Sequence, residues 1–288
     1  MAYSRLASPS ATLSVLESRR LSTRKSLGQH FLVDDNIVGR ILSLADLDSN
    51  TSVLEIGPGI GTLTVALCGV AAHVVAVERD ERLGPQLTSI AEECGNLSVI
   101  QADAVSVDME TLTGPSGPPT TLVANLPYGV AATVVLRYFQ ELSSLKSATI
   151  MVQAEVASRM TAVPSTKDYG SYSVKLQLLT RPAGRFAVPR SCFMPPPRVD
   201  SSVVRLERVV RSEAPEIITA ASKTANAAFA QRRKTLRNSL RSSLALADGA
   251  LEPALVAAGI DGSRRAETLS VDEFLILGAE LHRQGLLP

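Results

Sequence analysis

Apolar positions along the chain change period again and again. From Asp34 to Leu44, the residues Ile37, Val38, Ile41, Leu42 and Leu44 recur at helical spacing. Ser52 to Ile56 then reads as a strand, followed by a glycine-rich turn and a helical stretch through Thr62 to Leu67. The same alternation continues, with strands predicted at Val74–Val77, Leu97–Gln101, Thr121–Ala124 and Ala148–Val152. Helices are predicted at about Glu81–Glu93, through Val134–Phe139 and over Ala154–Met160. Strands alternating with helices imply a mainly parallel sheet with helices on both faces.

Beyond this the pattern loosens. Ala162 to Gly170 holds Pro, Ser, Thr, Lys, Asp and Gly, and reads as a mobile loop. Two short strand candidates, Arg185–Val188 and Ser201–Leu206, flank the Pro195-Pro196-Pro197 stretch. From about Arg208 the chain is rich in Ala, Leu and Ser, helical in pattern and without strand signal. A boundary is expected near residues 207–212. The predicted organisation is a flexible arm over 1–23, an α/β domain over 24–208 and a small all-α domain over 209–288. The arm assignment rests on a Ser/Arg-rich, acid-poor stretch with no sustained amphipathic pattern. There is no internal repeat.

Composition sharpens this picture. The 288 residues are 45% apolar, enough for a substantial core. A net charge of +1 conceals two basic segments. Before Asp34 a single acid, Glu17, stands against Arg5, Arg19, Arg20, Arg24 and Lys25. Between Glu216 and Asp248 no acid offsets Lys223, Arg232, Arg233, Lys234, Arg237 and Arg241. Such segments fit a polyanion partner touching selected surfaces, or two solvated faces. Cys68, Cys94 and Cys192 are isolated, and the three histidines are far apart in sequence. That argues against a disulfide framework and a structural zinc site, and fits a reducing cytoplasm. No run of about 20 apolar residues predicts a membrane span.

Two short motifs carry chemistry. Glu55-Ile56-Gly57-Pro58-Gly59-Ile60-Gly61 occupies the first strand-to-helix turn, where glycines let backbone approach a ligand. Glu78 follows Gly57 by 21 residues, at the end of the second strand, where an acid reads ribose hydroxyls. Thr62 stands where a dinucleotide fingerprint needs glycine, so the spacing is that of S-adenosylmethionine sites. Asp103, just past the third strand, could accept from an adenine amine or cap a helix. The second motif, Asn125-Leu126-Pro127-Tyr128, follows the apolar run Leu122-Val123-Ala124. Proline keeps Leu126 extended, the amide and nearby carbonyls can point into a cleft, and the tyrosine offers a flat face. This suits chemistry on the exocyclic amine of a nucleobase. A plain proline turn closing a strand is the alternative.

Five ordered stretches make the chain resemble the KsgA/RsmA family of small-subunit ribosomal RNA adenine dimethyltransferases. They are Lys25–Leu32, Glu55–Gly61, Asn125–Tyr128, Phe193–Ser201 and Phe229–Arg237, and together they run through nearly the whole chain. The resemblance implies a class I S-adenosylmethionine-dependent methyltransferase fold, Rossmann-like, with a small helical C-terminal domain. It implies S-adenosylmethionine as methyl donor, with no metal. By position, His30 and Leu32 would line the cofactor site, though many relatives carry asparagine where His30 stands. Gly57 would meet the methionine end, Glu78 the ribose and Asp103 the adenine amine.

The implied substrate is a pair of adjacent adenosines in the terminal hairpin of 16S rRNA, within an immature small subunit, each doubly methylated on N6. Asn125, between cofactor and target, and the Leu126 carbonyl would accept from N6–H. Tyr128 and Phe193 would stack on the flipped base, with Phe193 raised on an exposed proline-rich loop. In the tail, Phe229, Leu236, Leu240 and Leu244 fall on one side of a helical pattern, and Lys234, Arg237 and Arg241 on another. Arg232, Arg233, Lys234 and Arg237 are accordingly expected to contact RNA. A cytoplasmic monomer is expected. The rivals are an Erm-type large-subunit methyltransferase, which usually reads Asn-Ile-Pro-Tyr at the catalytic motif, a non-catalytic ribosome-assembly factor, and a nicotinamide dehydrogenase, which Thr62 weakens.

Overall fold

The computed structural model describes residues 2–22 and 29–287. The Lys25–Gly28 part of the first matching stretch lies outside the described residues. Two compact units form. One comprises Met1–Ala157 with Pro182–Arg208, the other Ser158–Arg181 with Val209–Pro288.

In the first unit the chain runs α1 (Pro9–Ser18), β1 (Phe31–Leu32), α2 (Asp35–Ala45), β2 (Ser52–Ile56), α3 (Thr62–Cys68), β3 (His73–Glu78), α4 (Gly84–Cys94) and β4 (Leu97–Gln101). It continues through β5 (Thr121–Asn125), α5 (Ala131–Glu141), β6 (Ser147–Gln153) and α6 (Ala154–Met160). After α7 (Ser171–Gln177) come β7 (Thr180–Val188), β8 (Phe193–Met194) and β9 (Ser201–Arg208). Seven strands form one sheet in the order β4-β3-β2-β5-β6-β9-β7. β4, β3, β2, β5 and β6 are mutually parallel, and β9 joins β6 antiparallel. The strands β2 and β3 are buried at every position, the polar Glu55, His73 and Glu78 included.

Register places Ile56 beside Val77, Glu78 beside Gln101 and Asn125 beside Met151, so the carboxyl ends of β2 to β5 share one edge. The order reverses between β2 and β5, and such a switch point opens a crevice beyond the strand ends.

Two features depart from the sequence reading. The expected flexible arm is folded over residues 2–22. Ser8 caps α1 through Ala11 N–H, and Leu6, Ala7 and Thr12 are buried. The Asp35 carboxylate accepts from the Tyr3 and Ser4 amides at 2.9 and 2.8 Å. Anchoring by backbone amides leaves no periodic apolar signal to detect. The second feature is a two-stranded ribbon, in which Phe31 pairs with Met194 and Leu32 with Phe193. Two residues a strand are too few for period-2 alternation to register.

The second unit is helical, with α8 (Pro215–Phe229), α9 (Leu236–Ser243), α10 (Glu252–Ala258) and α11 (Val271–Arg283) joining α7. Its core includes Tyr169, Val174 and Leu178, from a segment the sequence reading assigned to the α/β domain, packed with Ala225, Leu240 and Phe274. The Tyr169 hydroxyl donates to the Leu269 carbonyl at 2.9 Å, fixing part of the stretch read as a mobile loop. The continuous helical pattern from Phe229 to Leu244 is broken. α8 ends at Phe229, and α9 begins after Thr235, whose side chain accepts from Asn238 N–H. A hydroxyl able to cap the helix interrupts it without disturbing the apolar spacing. Among the described residues no helix is long and apolar enough to cross a membrane.

Candidate active site

A cavity of about 380 Å³ opens beyond the carboxyl ends of β2 to β5. Each of the strands contributes a residue singled out by sequence. Gly57 follows β2, Glu78 ends β3, Asp103 lies two residues past β4 and Asn125 ends β5. His30 and Leu32 line the cavity from the segment around β1, and Leu126 and Tyr128 from the turn after β5.

The glycine-rich turn is shaped by backbone. Gly57 has φ +67° and its amide donates to the Val77 carbonyl at 2.9 Å. Gly61 caps α3 at φ +91°, and a Cβ there would lie 2.2 Å from Ile90 Cδ1. A side chain is therefore excluded by conformation and by packing. The Glu78 carboxylate holds the turn in place, accepting from Gly59 N–H at 3.1 Å and from the Arg79 and Asp80 amides at 2.8 and 2.7 Å. Burial still pushes the Glu78 carboxyl upward, despite these donors.

Glu55, quoted in the motif but given no role by sequence, is 1% exposed and lines the same cavity. Burial raises its carboxyl to about 8, the nearby Thr64 hydroxyl pulling the other way, and among the described residues Oε2 completes no hydrogen bond of good geometry. A buried, unsatisfied oxygen facing a cavity is a place for a donor group on a ligand. Asp103 sits in a turn after β4 that starts no helix. Oδ1 accepts from Val105 N–H at 2.9 Å within that turn, and Oδ2 pairs with Arg79 at 3.2 Å on the cavity wall.

The Asn125–Tyr128 turn is held at both ends. Asn125 Nδ2 donates to the His30 carbonyl at 3.3 Å, which leaves Oδ1 as the acceptor of that amide. Leu126 N–H donates to the Met151 carbonyl at 3.1 Å, and the Leu126 side chain is in the core, 1% exposed. The Tyr128 hydroxyl bonds Ser201 Oγ at 2.8 Å, and burial pushes its pKa upward. The His30 ring stacks on Tyr128, centroids 5.7 Å apart and planes 24° apart. Ser201 was visible only as part of a motif. It becomes a partner because β9 pairs Ser201 with Gln153 on β6, next to β5.

Phe193 departs from expectation. Instead of standing on an exposed loop it is 3% exposed, paired with Leu32 in the ribbon and packed in the hydrophobic core. It does not line the cavity among the described residues. Antiparallel pairing with β1 turns the ring inward, so in this structure it offers no face to a base.

The basic residues of the second unit separate into two kinds. Arg237 pairs with Glu252 at 2.7 Å and Arg241 pairs with Asp248. Arg232 donates to the Lys167 carbonyl at 2.6 Å and lies 4.0 Å from Glu267. Arg233 and Lys234 are exposed on the turn between α8 and α9, with no ion pair among the described residues. The expected row of Lys234, Arg237 and Arg241 on one helix is not formed, because Lys234 precedes Thr235, the cap of α9.

A family model described as ribosomal RNA adenine dimethylase matches residues 20–282. The chain is 43% identical over 282 residues to a ribosomal RNA small subunit methyltransferase A of Pelotomaculum thermopropionicum, covering 93% of this chain and 95% of the relative. The same-named protein of Alkaliphilus metalliredigens is 40% identical, with 96% and 98% covered. Among solved structures, a dimethyladenosine transferase from Plasmodium falciparum superposes with TM-score 0.72 at 24% identity, covering 89% of this chain and 98% of that one. The 23S rRNA methyltransferase ErmE superposes with TM-score 0.63 at 27% identity, covering 88% and 99%.

Proposed function

Since the chain belongs to the ribosomal RNA adenine dimethylase family, we propose that it dimethylates N6 of two adjacent adenosines in the 3'-terminal hairpin of 16S rRNA. The first unit is the transfer unit and the second binds RNA. Relatives at 40–43% identity carry the small-subunit name, whereas the likeness to a large-subunit enzyme is at 27%. The substrate assignment follows that difference. An immature small subunit as the particle, and action as a monomer, belong to the same proposal.

S-adenosylmethionine, when bound, supplies a methyl group on a sulfonium, already a strong electrophile. The cavity fits such a group on its own features. The turn at Gly57 leaves room where a side chain would stand, Glu78 keeps acceptor capacity at the end of β3, and Glu55 Oε2 is an orphaned buried acceptor. Gly57 and Glu55 suit the amino-acid end, Glu78 the ribose and Asp103 the adenine. His30 and Leu32 close the opposite wall.

The observation that carries the reading is the orientation of the Asn125 amide. Its NH₂ end is engaged by the His30 carbonyl, so Oδ1 accepts. An adenine amine is a poor nucleophile because its lone pair is delocalised into the ring. Accepting N6–H at Oδ1, with the Leu126 carbonyl as second acceptor, favours a pyramidal nitrogen and stabilises the charge that develops on it. The proton displaced from N6 passes to water. Tyr128 supplies the stacking face for the extruded base. Arg232, Arg233, Lys234 and Arg237 contact phosphate from the second unit, the unpaired Arg233 and Lys234 most strongly.

The test is to incubate the protein and labelled S-adenosylmethionine separately with immature small subunits and with large subunits, then map the modified bases. Two adjacent dimethylated adenosines near the 3' end of 16S rRNA are expected. Label confined to large subunits overturns the assignment.

A further inference from the structure

We propose that His30 is a positioning residue for the tyrosine of the catalytic turn, covering one face of Tyr128 so that the target base can stack only on the other. This rests on the reading of Tyr128 as the surface that receives the base.

Four contacts meet at His30. Its ring lies on Tyr128 at 5.7 Å and 24°. Its Nδ1 is 2.7 Å from the Pro195 carbonyl, and because a carbonyl can only accept, Nδ1 carries the proton. Its own carbonyl receives the Asn125 amide. Directly after it, Phe31 and Leu32 pair with Met194 and Phe193. The bond to Pro195 tethers one edge of the ring, and the stack on Tyr128 sets its plane.

Tyr128 has little else to hold it. The turn carries it beside Gly129, which is exposed, and among the described residues only the Ser201 contact restrains its hydroxyl. A tether at the hydroxyl leaves rotation about the ring's long axis free. A second aromatic plane removes that freedom. His30 thus touches both working groups of the turn, Asn125 through its backbone and Tyr128 through its ring. An asparagine at this position would reproduce the backbone contact and has no ring to reproduce the stack.

The experiment is a double-mutant cycle between His30→Ala and Tyr128→Ala on rRNA methylation, with S-adenosylhomocysteine affinity measured by calorimetry for every variant. His30→Ala is expected to lower kcat about tenfold, the size of one aromatic contact, and to change that affinity less than about threefold. In the Tyr128→Ala background the same change is expected to cost less than about twofold, because contacting residues are coupled. His30→Phe, which keeps a ring and loses the Nδ1 donor, should retain most of the activity, and His30→Asn should behave like alanine. Additive effects in the cycle overturn the proposal. So does a loss confined to cofactor affinity, or an alanine variant as fast as or faster than the parent. If His30→Ala does not fold, the phenylalanine and asparagine variants decide the same question. Normal turnover by Tyr128→Ala alone would instead remove the stacking role of Tyr128, independently of His30.

Discussion

The cavity of the first unit and the basic turn of the second differ in what holds their charges. At the cavity, Glu55 and Glu78 are both buried, with burial raising both carboxyls. At the turn, Arg233 and Lys234 stand in solvent. A buried group senses every change around it, because its desolvation is repaid only by specific partners. An exposed cation is screened and replaceable, and acts by number and placement. Substitutions in the two regions should therefore differ in size and in which measurement reports them.

The largest effect should come from Glu55. Its folded pKa is about 8 against an ordinary value of 4.5. Below about pH 4.5 both folded and unfolded chains hold the proton and burial of the acid costs nothing. As pH rises, the unfolded chain ionises first, so stability falls continuously and the loss is complete once pH passes the folded value. The span corresponds to roughly 5 kcal/mol. Glu55→Gln keeps the shape and removes the titration. Denaturant unfolding of protein without cofactor should show the two chains equal near pH 4.5 and the variant more stable by a few kcal/mol at pH 9. Parallel pH profiles would place the proton elsewhere.

Next in size is Asn125→Ala, which removes the acceptor proposed for N6–H. A fall of about 10²–10³ in kcat is expected, the cost of losing one preorganised transition-state contact. S-adenosylhomocysteine affinity should change much less. Near-normal turnover in the folded variant would end the assignment of Asn125 as acceptor.

The cavity residues were legible in sequence because topology leaves them little choice. A residue that ends a parallel strand lands at the common edge, and Gly57, Glu78, Asp103 and Asn125 all sit at or just past such ends. What escaped were partnerships made through space. Ser201 reaches Tyr128 only after β9 inserts beside β6. Phe193 looks exposed beside three prolines, yet the ribbon with β1 buries it. Residues 2–22 fold through amides donated to Asp35 and through scattered apolar side chains such as Leu6, Ala7 and Leu16 that form no sustained period. In the second unit, hydrophobic spacing is maintained across the break at Thr235, so periodicity alone joins two helices into one.

A medium effect is expected at the basic turn. Charge reversal of Arg233 and Lys234 together should weaken binding to small-subunit particles about tenfold or more at physiological salt. It should also flatten the dependence of log K on log salt by about 2. Reversal at Arg237 mixes this with loss of the Glu252 pair, worth only ~0–1 kcal/mol because both partners are half exposed. An unchanged salt slope in the double reversal would reduce the turn to a solubilising face.

The smallest effect tests the break itself. Thr235 Oγ1 accepts from Asn238 N–H at 3.4 Å, long for a cap, and the Thr235 carbonyl accepts from Ser239 N–H at 2.9 Å. Thr235→Ala should cost about 1 kcal/mol of stability or slightly less, and Thr235→Asp should restore it through the better capping oxygen and the helix dipole. If α8 and α9 were one helix in solution, residue 235 would be an interior position. Alanine would then stabilise by its higher propensity and aspartate would destabilise. The two substitutions thus move thermal stability in opposite directions under the two arrangements, and the sign of the difference decides whether Arg233 and Lys234 are presented on a turn or on a helix.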